Sequence, residues 1–280
     1  MDRRALVTGG SRGIGRAVAL ELAQGGWRVM LLAREERALE RARRELPGAG
    51  HESVAMDVRD QAAWERLGAR LGDVHGLVCA AAALGPIGPL GSYSPGDFAR
   101  TLELNVVGTL LAIDACLRGL RASAGSIVTF GGGGATAPLP RFDAYAASKA
   151  AVVRLTENLA AELGRDGVRI NCVAPGFVAT DMHESTIAAG PELAGVDYFQ
   201  RTRAELERGG DPIVDAAELV CTLLEHDADT PFTGKLISAR WDPWRDAGFR
   251  RRLATEPDLA TLRRVDDMRV VAVVAEEAHA

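Results

Sequence analysis

Arg4-Ala5-Leu6-Val7-Thr8 runs straight into Gly9-Gly10-Ser11-Arg12-Gly13-Ile14-Gly15. The first five residues predict a short buried strand, and Arg16 to Gln24 after the glycines predicts a helix. A glycine pattern alone says little. Between a strand and a helix it marks a loop where backbone can approach a phosphate, because glycine has no β-carbon to hold it away. The helix behind the loop offers unpaired N–H groups and the positive end of its dipole. Gly9, Ser11, Arg12, Gly13, Ile14 and Gly15 are therefore the candidate pyrophosphate-binding residues of a dinucleotide site.

The chain then alternates. Apolar runs at Trp27–Ala33, Ser53–Met56, Gly76–Cys79, Ser126–Phe130, Val168–Val173 and Gly234–Ala239 predict strands. Helical patterns separate them, including Glu35–Leu46, Ala62–Leu71 and Pro212–Leu224. Such alternation predicts a doubly wound parallel sheet in a three-layer α/β/α domain. Strands buried on both faces need continuous Val, Leu and Ile rather than an alternating pattern, as found here. One domain over residues 1–240 is expected, with 241–280 as a C-terminal extension rich in Arg and Asp. Within that extension, Val270–Ala275 reads as a short strand or a buried helical turn.

The end of the second strand bears on the cofactor. A site for NAD usually carries an acid there to hold the ribose hydroxyls. Here the chain reads Leu32-Ala33-Arg34, and Arg34 with Arg12 could clamp a 2′-phosphate. NADP (NADPH) is expected over NAD. Glu35 and Glu36 are expected to open the next helix at the positive end of its dipole. Asp57, with Val58, ends the third strand; it either bonds the adenine amino group or caps the following helix. The small-residue loop Ala80–Pro89 lies at the carboxyl end of the fourth strand, where such folds bind ligands.

Tyr145 and Lys149 stand four residues apart and so share one helix face. A phenol with a pKa of about 10 exchanges its proton poorly near neutrality. A neighbouring ammonium is expected to lower that value and make Tyr145 a working acid or base. Asn105 sits in mid-helix against its propensity, so it either turns a carbonyl or holds a water, or it caps or kinks the helix. Pro175, Gly176, Val178 and Thr180 end the sixth strand on the nicotinamide side; Thr180 either bonds the carboxamide or caps a helix. Residues 180–210 read as a polar, partly helical segment able to close over a substrate.

The net charge of −5 argues against nucleic-acid or membrane-surface partners. No run reaches membrane-spanning length, and too few residues precede the first strand for a signal peptide. Cys79, Cys116, Cys172 and Cys221 are far apart in apolar runs. They are expected to be reduced core residues of a cytoplasmic protein, with no metal site.

Thr8-Gly9-x-x-x-Gly13-x-Gly15, Asn105, Tyr145-x-x-x-Lys149 and Pro175-Gly176 together resemble the short-chain dehydrogenase/reductase family over about residues 1–240. The resemblance implies a Rossmann-type domain, NAD(P)(H), and hydride transfer between nicotinamide and a ketone or secondary alcohol. It implies Tyr145 as acid/base, Lys149 as ribose holder and pKa tuner, and Asn105 as holder of a proton-relay water. Homodimers or homotetramers are implied through the Tyr145 helix, which carries Ala146, Ala147, Ala150 and Ala151 beside Val152, Val153, Leu155 and Leu159.

Three departures stand out. Cys79-Ala80-Ala81-Ala82 replaces the family's Asn-Asn-Ala-Gly, losing polar anchors for the loop and for adenosine. The active-site Ser position, thirteen before the Tyr, is Gly132, within Gly131–Gly134. The last strand runs into Ala239-Arg240-Trp241-Asp242-Pro243-Trp244 instead of a Gly-Gly pair. The alternative to an active oxidoreductase is a cofactor-binding protein with weakened or non-redox function, such as a sensor, a partner subunit or an epimerase or dehydratase.

Overall fold

The computed structural model describes residues 3–225 and 231–264. Among these residues seven strands, β1 (Arg4–Thr8), β2 (Arg28–Ala33), β3 (Glu52–Ala55), β4 (Gly76–Cys79), β5 (Ser126–Phe130), β6 (Arg169–Ala174) and β7 (Leu236–Ser238), form one sheet. Every pairing is parallel and the order is β3-β2-β1-β4-β5-β6-β7. The chain winds outward one way from β1 and the other way from β4. Ligands in such sheets bind at the carboxyl ends of the strands where that reversal occurs.

The helices are α1 (Gly13–Gln24), α2 (Glu36–Arg44), α3 (Gln61–Arg70), α4 (Pro95–Leu102), α5 (Gly108–Ser123), α6 (Asp143–Leu163), α7 (Asp181–Ala194), α8 (Val196–Glu207), α9 (Ile213–Glu225) and α10 (Ala247–Thr255). Alternate residues of each strand enter opposite cores, as the two-residue period of a strand requires. Val7, Val78, Val128 and Val173 pack with α1 and α9 on one face. Leu6, Leu77, Ile127 and Ile170 pack with α3, α5 and the end of α6 on the other. This is the expected three-layer Rossmann-type fold. No described helix is long and apolar enough to cross a membrane.

Residues 241–264 pack onto the domain. Trp244, Phe249 and Leu253 are buried in the α1/α9 core. The buried ammonium of Lys235 donates to the carbonyls of Glu256, Pro257 and Leu259 at 2.8, 3.0 and 2.9 Å, which satisfies all three of its protons. Val270–Ala275 lies outside the described residues. Segment 180–210 is more helical than expected, forming α7 and α8, with α7 kinked at Gly190 ahead of Pro191. Glu36 does open α2, at its first turn.

Candidate active site

The glycine loop is built for close backbone approach. Gly9 has φ +68°, and a β-carbon there would lie 2.9 Å from the amide nitrogen of Ala81. A β-carbon on Gly15 would strike the carbonyl oxygen of Gly9. The N-cap of α1, Arg12, makes no side-chain cap, and no acid stands in the first turn. The leading N–H groups of α1 are therefore unclaimed by side chains and present positive charge, which suits a pyrophosphate. Ser11 is half-buried, and Ile14 leans on the α1/α9 core.

At the adenosine end, Arg34 is exposed beyond β2. Asp57 turns back on Arg59, accepting from its Nε (3.0 Å), Nη2 (2.7 Å) and backbone N–H (2.9 Å). These bonds hold the carboxyl down at about 2, with Arg34 adding a weaker pull. Asp57 does not cap α3; Asp60 does, accepting from the Ala63 N–H at 2.9 Å. Val58 is a core residue whose carbonyl accepts from Trp64 Nε1 at 2.9 Å. Arg12 meets Asp181 at 2.6 Å, so the two arginines read as one clamp have different neighbours in the protein alone.

Tyr145 and Lys149 share a face of α6, as their spacing requires. The Lys149 ammonium is buried, donates to the Phe130 carbonyl at 3.0 Å and lies 5.5 Å from the Tyr145 ring centroid. Burial pushes Lys149 down to about 8. The expected lowering of the Tyr145 phenol is reversed in the protein alone: burial, and then the neighbouring Tyr198, hold its proton more tightly than in a free phenol. Desolvation of the phenolate outweighs an ammonium whose own charge burial already disfavours.

Asn105 lies in a π-helical turn, Glu103–Val107, inserted between α4 and α5. Ser94 starts that helical stretch through a reciprocal capping box with Asp97 and Pro95 in the first turn. The wider π turn resolves the misfit of Asn in mid-helix. Its side chain accepts from the Ala83 N–H (2.9 Å) and donates to the Ala83 carbonyl and to Ser148 Oγ (both 2.9 Å). Its carbonyl accepts from Thr109 Oγ1 at 2.8 Å. Thr8 Oγ1 accepts from the Ala81 N–H at 3.2 Å. The loop after β4 therefore keeps polar anchors, supplied by Thr8 and Asn105 from outside it, which corrects the expected loss. Ser148, inside the Tyr145–Lys149 stretch, is the partner that spacing alone did not single out.

Gly132 has φ +150°, and a β-carbon on it would stand 2.8 Å from the Tyr145 oxygen. The hydroxyls nearest in sequence do not fill that place. Thr129 is buried and bonded to Thr156 Oγ1 at 2.7 Å, about three turns along α6 from Tyr145. Thr136 is exposed.

The remaining wall comes from beyond β6. Gly176 turns at φ +83°; Asp211 accepts from the Phe177 N–H at 2.6 Å and donates its own N–H to the Phe177 carbonyl at 2.7 Å. Val178 is buried and bridges to Gly210. Pro175 is half-buried, and Thr180 heads α7 without capping it by its side chain. The Thr180 methyl would lie 3.5 Å from a β-carbon on Gly13, so the start of α7 crosses the glycine loop. Farther along, Arg141 Nη1 donates to the carbonyls of Glu192 (2.5 Å) and Leu193 (3.2 Å), tying α7 to the start of α6. Among the described residues no group of His, Cys, Asp and Glu could hold a metal ion. All four cysteines are free thiols, and Cys79, Cys116 and Cys172 are buried.

A family model described as short chain dehydrogenase matches residues 3–189. Carbonyl reductase family member 4 of Danio rerio is 37% identical over 242 residues, covering 85% of this chain and 96% of its own. A variant of actinorhodin polyketide ketoreductase crystallised with NADPH superposes with a TM-score of 0.75 at 29% identity, covering 85% of this chain and 95% of that one. NAD+-bound xylitol dehydrogenase superposes at 0.73 and 28% identity, covering 84% and 96%. With the sheet order, the glycine loop and the shared face of Tyr145 and Lys149 already in place, these matches show that the chain belongs to the short-chain dehydrogenase/reductase family of NAD(P)-dependent oxidoreductases.

Proposed function

We propose that the protein is an NADP(H)-dependent oxidoreductase that interconverts a ketone and a secondary alcohol, with Tyr145 as the acid/base. The observation that carries this reading is the Tyr145–Lys149 pair packed against β5 at the carboxyl edge of the sheet, with Lys149 on the Phe130 carbonyl. When bound, the nicotinamide supplies or accepts the hydride. Tyr145 gives its proton to the carbonyl oxygen as that oxygen gains charge, or takes one from the alcohol in reverse. A phenol that burial keeps protonated is loaded for the reductive direction. Lys149 uses one ammonium proton on Phe130 and keeps two for ribose hydroxyls. Asn105 holds the β4 loop and Ser148 in register with Tyr145.

NADP(H) is favoured over NAD by Arg12, Arg34 and the missing acid at Ala33. Of the solved relatives above, one carries NADPH and the other NAD+, so the preference rests on this chain's own charges. Gly132 supports a second reading, a cofactor-binding protein of weakened or non-redox function. NADPH absorbance followed with a panel of ketones separates the two. Turnover that Tyr145→Phe abolishes, with NADPH binding retained, is the expected result. Retained cofactor with no ketone turned over, or a fully active Tyr145→Phe, refutes the oxidoreductase mechanism.

A further inference from the structure

We propose that Tyr198, on α8, donates the hydrogen bond to the substrate oxygen that Gly132 has no side chain to make. This rests on the oxidoreductase reading above. The place to be filled is defined by geometry: the β5 side approaches the Tyr145 oxygen so closely that a β-carbon on Gly132 would stand 2.8 Å away, yet that residue carries none. Ser148, Tyr93, Thr129 and Thr136 do not supply it. Ser148 Oγ donates to the Tyr145 carbonyl at 2.7 Å and accepts from Asn105. Tyr93 Oη donates to Asp143 Oδ2 at 2.5 Å. Thr129 is bonded to Thr156, and Thr136 faces solvent.

Tyr198 comes to the site from α8. Its ring packs on Phe142, with centroids 4.7 Å apart and planes at 55°. Phe142 is fully buried and lies three residues before Tyr145, at the residue that precedes α6. The two phenols are near enough for Tyr198 to oppose ionisation of Tyr145. The Tyr198 proton is given to no carbonyl or carboxylate among the described residues. Burial holds that proton more tightly than in a free phenol, with Arg201 and the Thr202 hydroxyl, one turn further along α8, pulling more weakly the other way; the buried Thr202 Oγ1 makes no hydrogen bond of normal geometry. The seat is firm: Gly195, just ahead of α8, packs so closely on the Arg141 side chain that a β-carbon would meet it at 3.2 Å, while Arg141 holds the end of α7.

The chemistry balances without a further reactant. Hydride adds to the carbonyl carbon, the C=O π pair moves onto oxygen, and that oxygen takes the proton of Tyr145, whose phenolate recovers one from solvent. Tyr198 keeps its own proton and shares it as a hydrogen bond with the oxygen while charge develops there.

The test is Tyr198→Phe in the full chain, because phenylalanine keeps the ring on Phe142 and removes only the hydroxyl. With the best ketone of the panel, kcat is expected to fall about 10²-fold, the usual loss for one donor to a developing oxyanion. NADPH affinity by fluorescence and the thermal midpoint are expected to stay at the wild-type values. Wild-type turnover that Tyr145→Phe destroys and Tyr198→Phe leaves unchanged overturns this inference alone. Absence of turnover in the wild type overturns it together with the oxidoreductase reading.

Discussion

Arg12 and Asp181 meet at 2.6 Å and join the glycine loop to the first residue of α7. The cation read as one half of a 2′-phosphate clamp is thus neutralised by a carboxylate at the head of α7 in the protein alone. Both side chains are largely exposed, at 73% and 60%, so the pair is worth at most about 1 kcal/mol. Asp181→Asn is expected to tighten NADPH up to about fivefold and to leave NADH unchanged. Arg34→Asp is expected to shift preference toward NADH. Fluorescence titration with both cofactors checks this, and wild-type NADH binding equal to or tighter than NADPH would reject the NADP assignment.

Gly132→Ser is expected to raise KM or abolish turnover rather than restore a donor. Its φ of +150° is a conformation L side chains rarely adopt, and the new β-carbon would stand 2.8 Å from the Tyr145 oxygen. Steady-state kinetics on the best ketone decides. A rise in kcat at constant KM would show that the site merely lacked a hydroxyl.

Lys149 makes stability depend on alkaline pH. Burial lowers its folded pKa to about 8 from 10.5 in the free side chain. Below about 8 both states carry the proton and the burial cost is fully felt. Between about 8 and 10.5 the folded protein sheds the proton while the unfolded chain keeps it, so stability rises with pH, by about 3 kcal/mol at most. Above 10.5 the gain is complete. Urea unfolding of wild type and Lys149→Met over this range is the measurement. The variant is expected to lack the rise, and parallel curves would contradict the assignment.

Self-association is expected through α5 and α6, over a smaller face than the sequence suggests. Val152 and Val153 are buried in this chain's own core, and Leu159 packs partly into it. What remains open is Ala147, half-buried Ala146, Ala150, Ala151 and Leu155, and on the neighbouring stretch Val107 and Leu110, each more than two-fifths exposed. Light scattering at micromolar concentration should show a homodimer or homotetramer, and Leu110→Glu should weaken it. A monomer in the wild type would refute the expectation.

What the sequence determined by itself was local or periodic. Arg4 to Gln24 spells strand, loop and helix because apolar runs and glycines act on their immediate neighbours. The strand–helix alternation settles the parallel sheet, and a helical period of 3.6 puts Tyr145 and Lys149 on one face. The strand bounds follow to within two residues, while α1 starts at Gly13, three residues before the expected Arg16, and the caps Ser94 and Asp60 were not read from the sequence. Only the tertiary structure decided what each site residue touches. Asn105 reaches Ala83 and Ser148, Lys149 reaches Phe130, and Tyr198 arrives beside Phe142 from 56 residues along the chain. The direction in which the Tyr145 proton is held was likewise invisible, because desolvation depends on everything packed around the phenol and leaves no pattern in the order of residues.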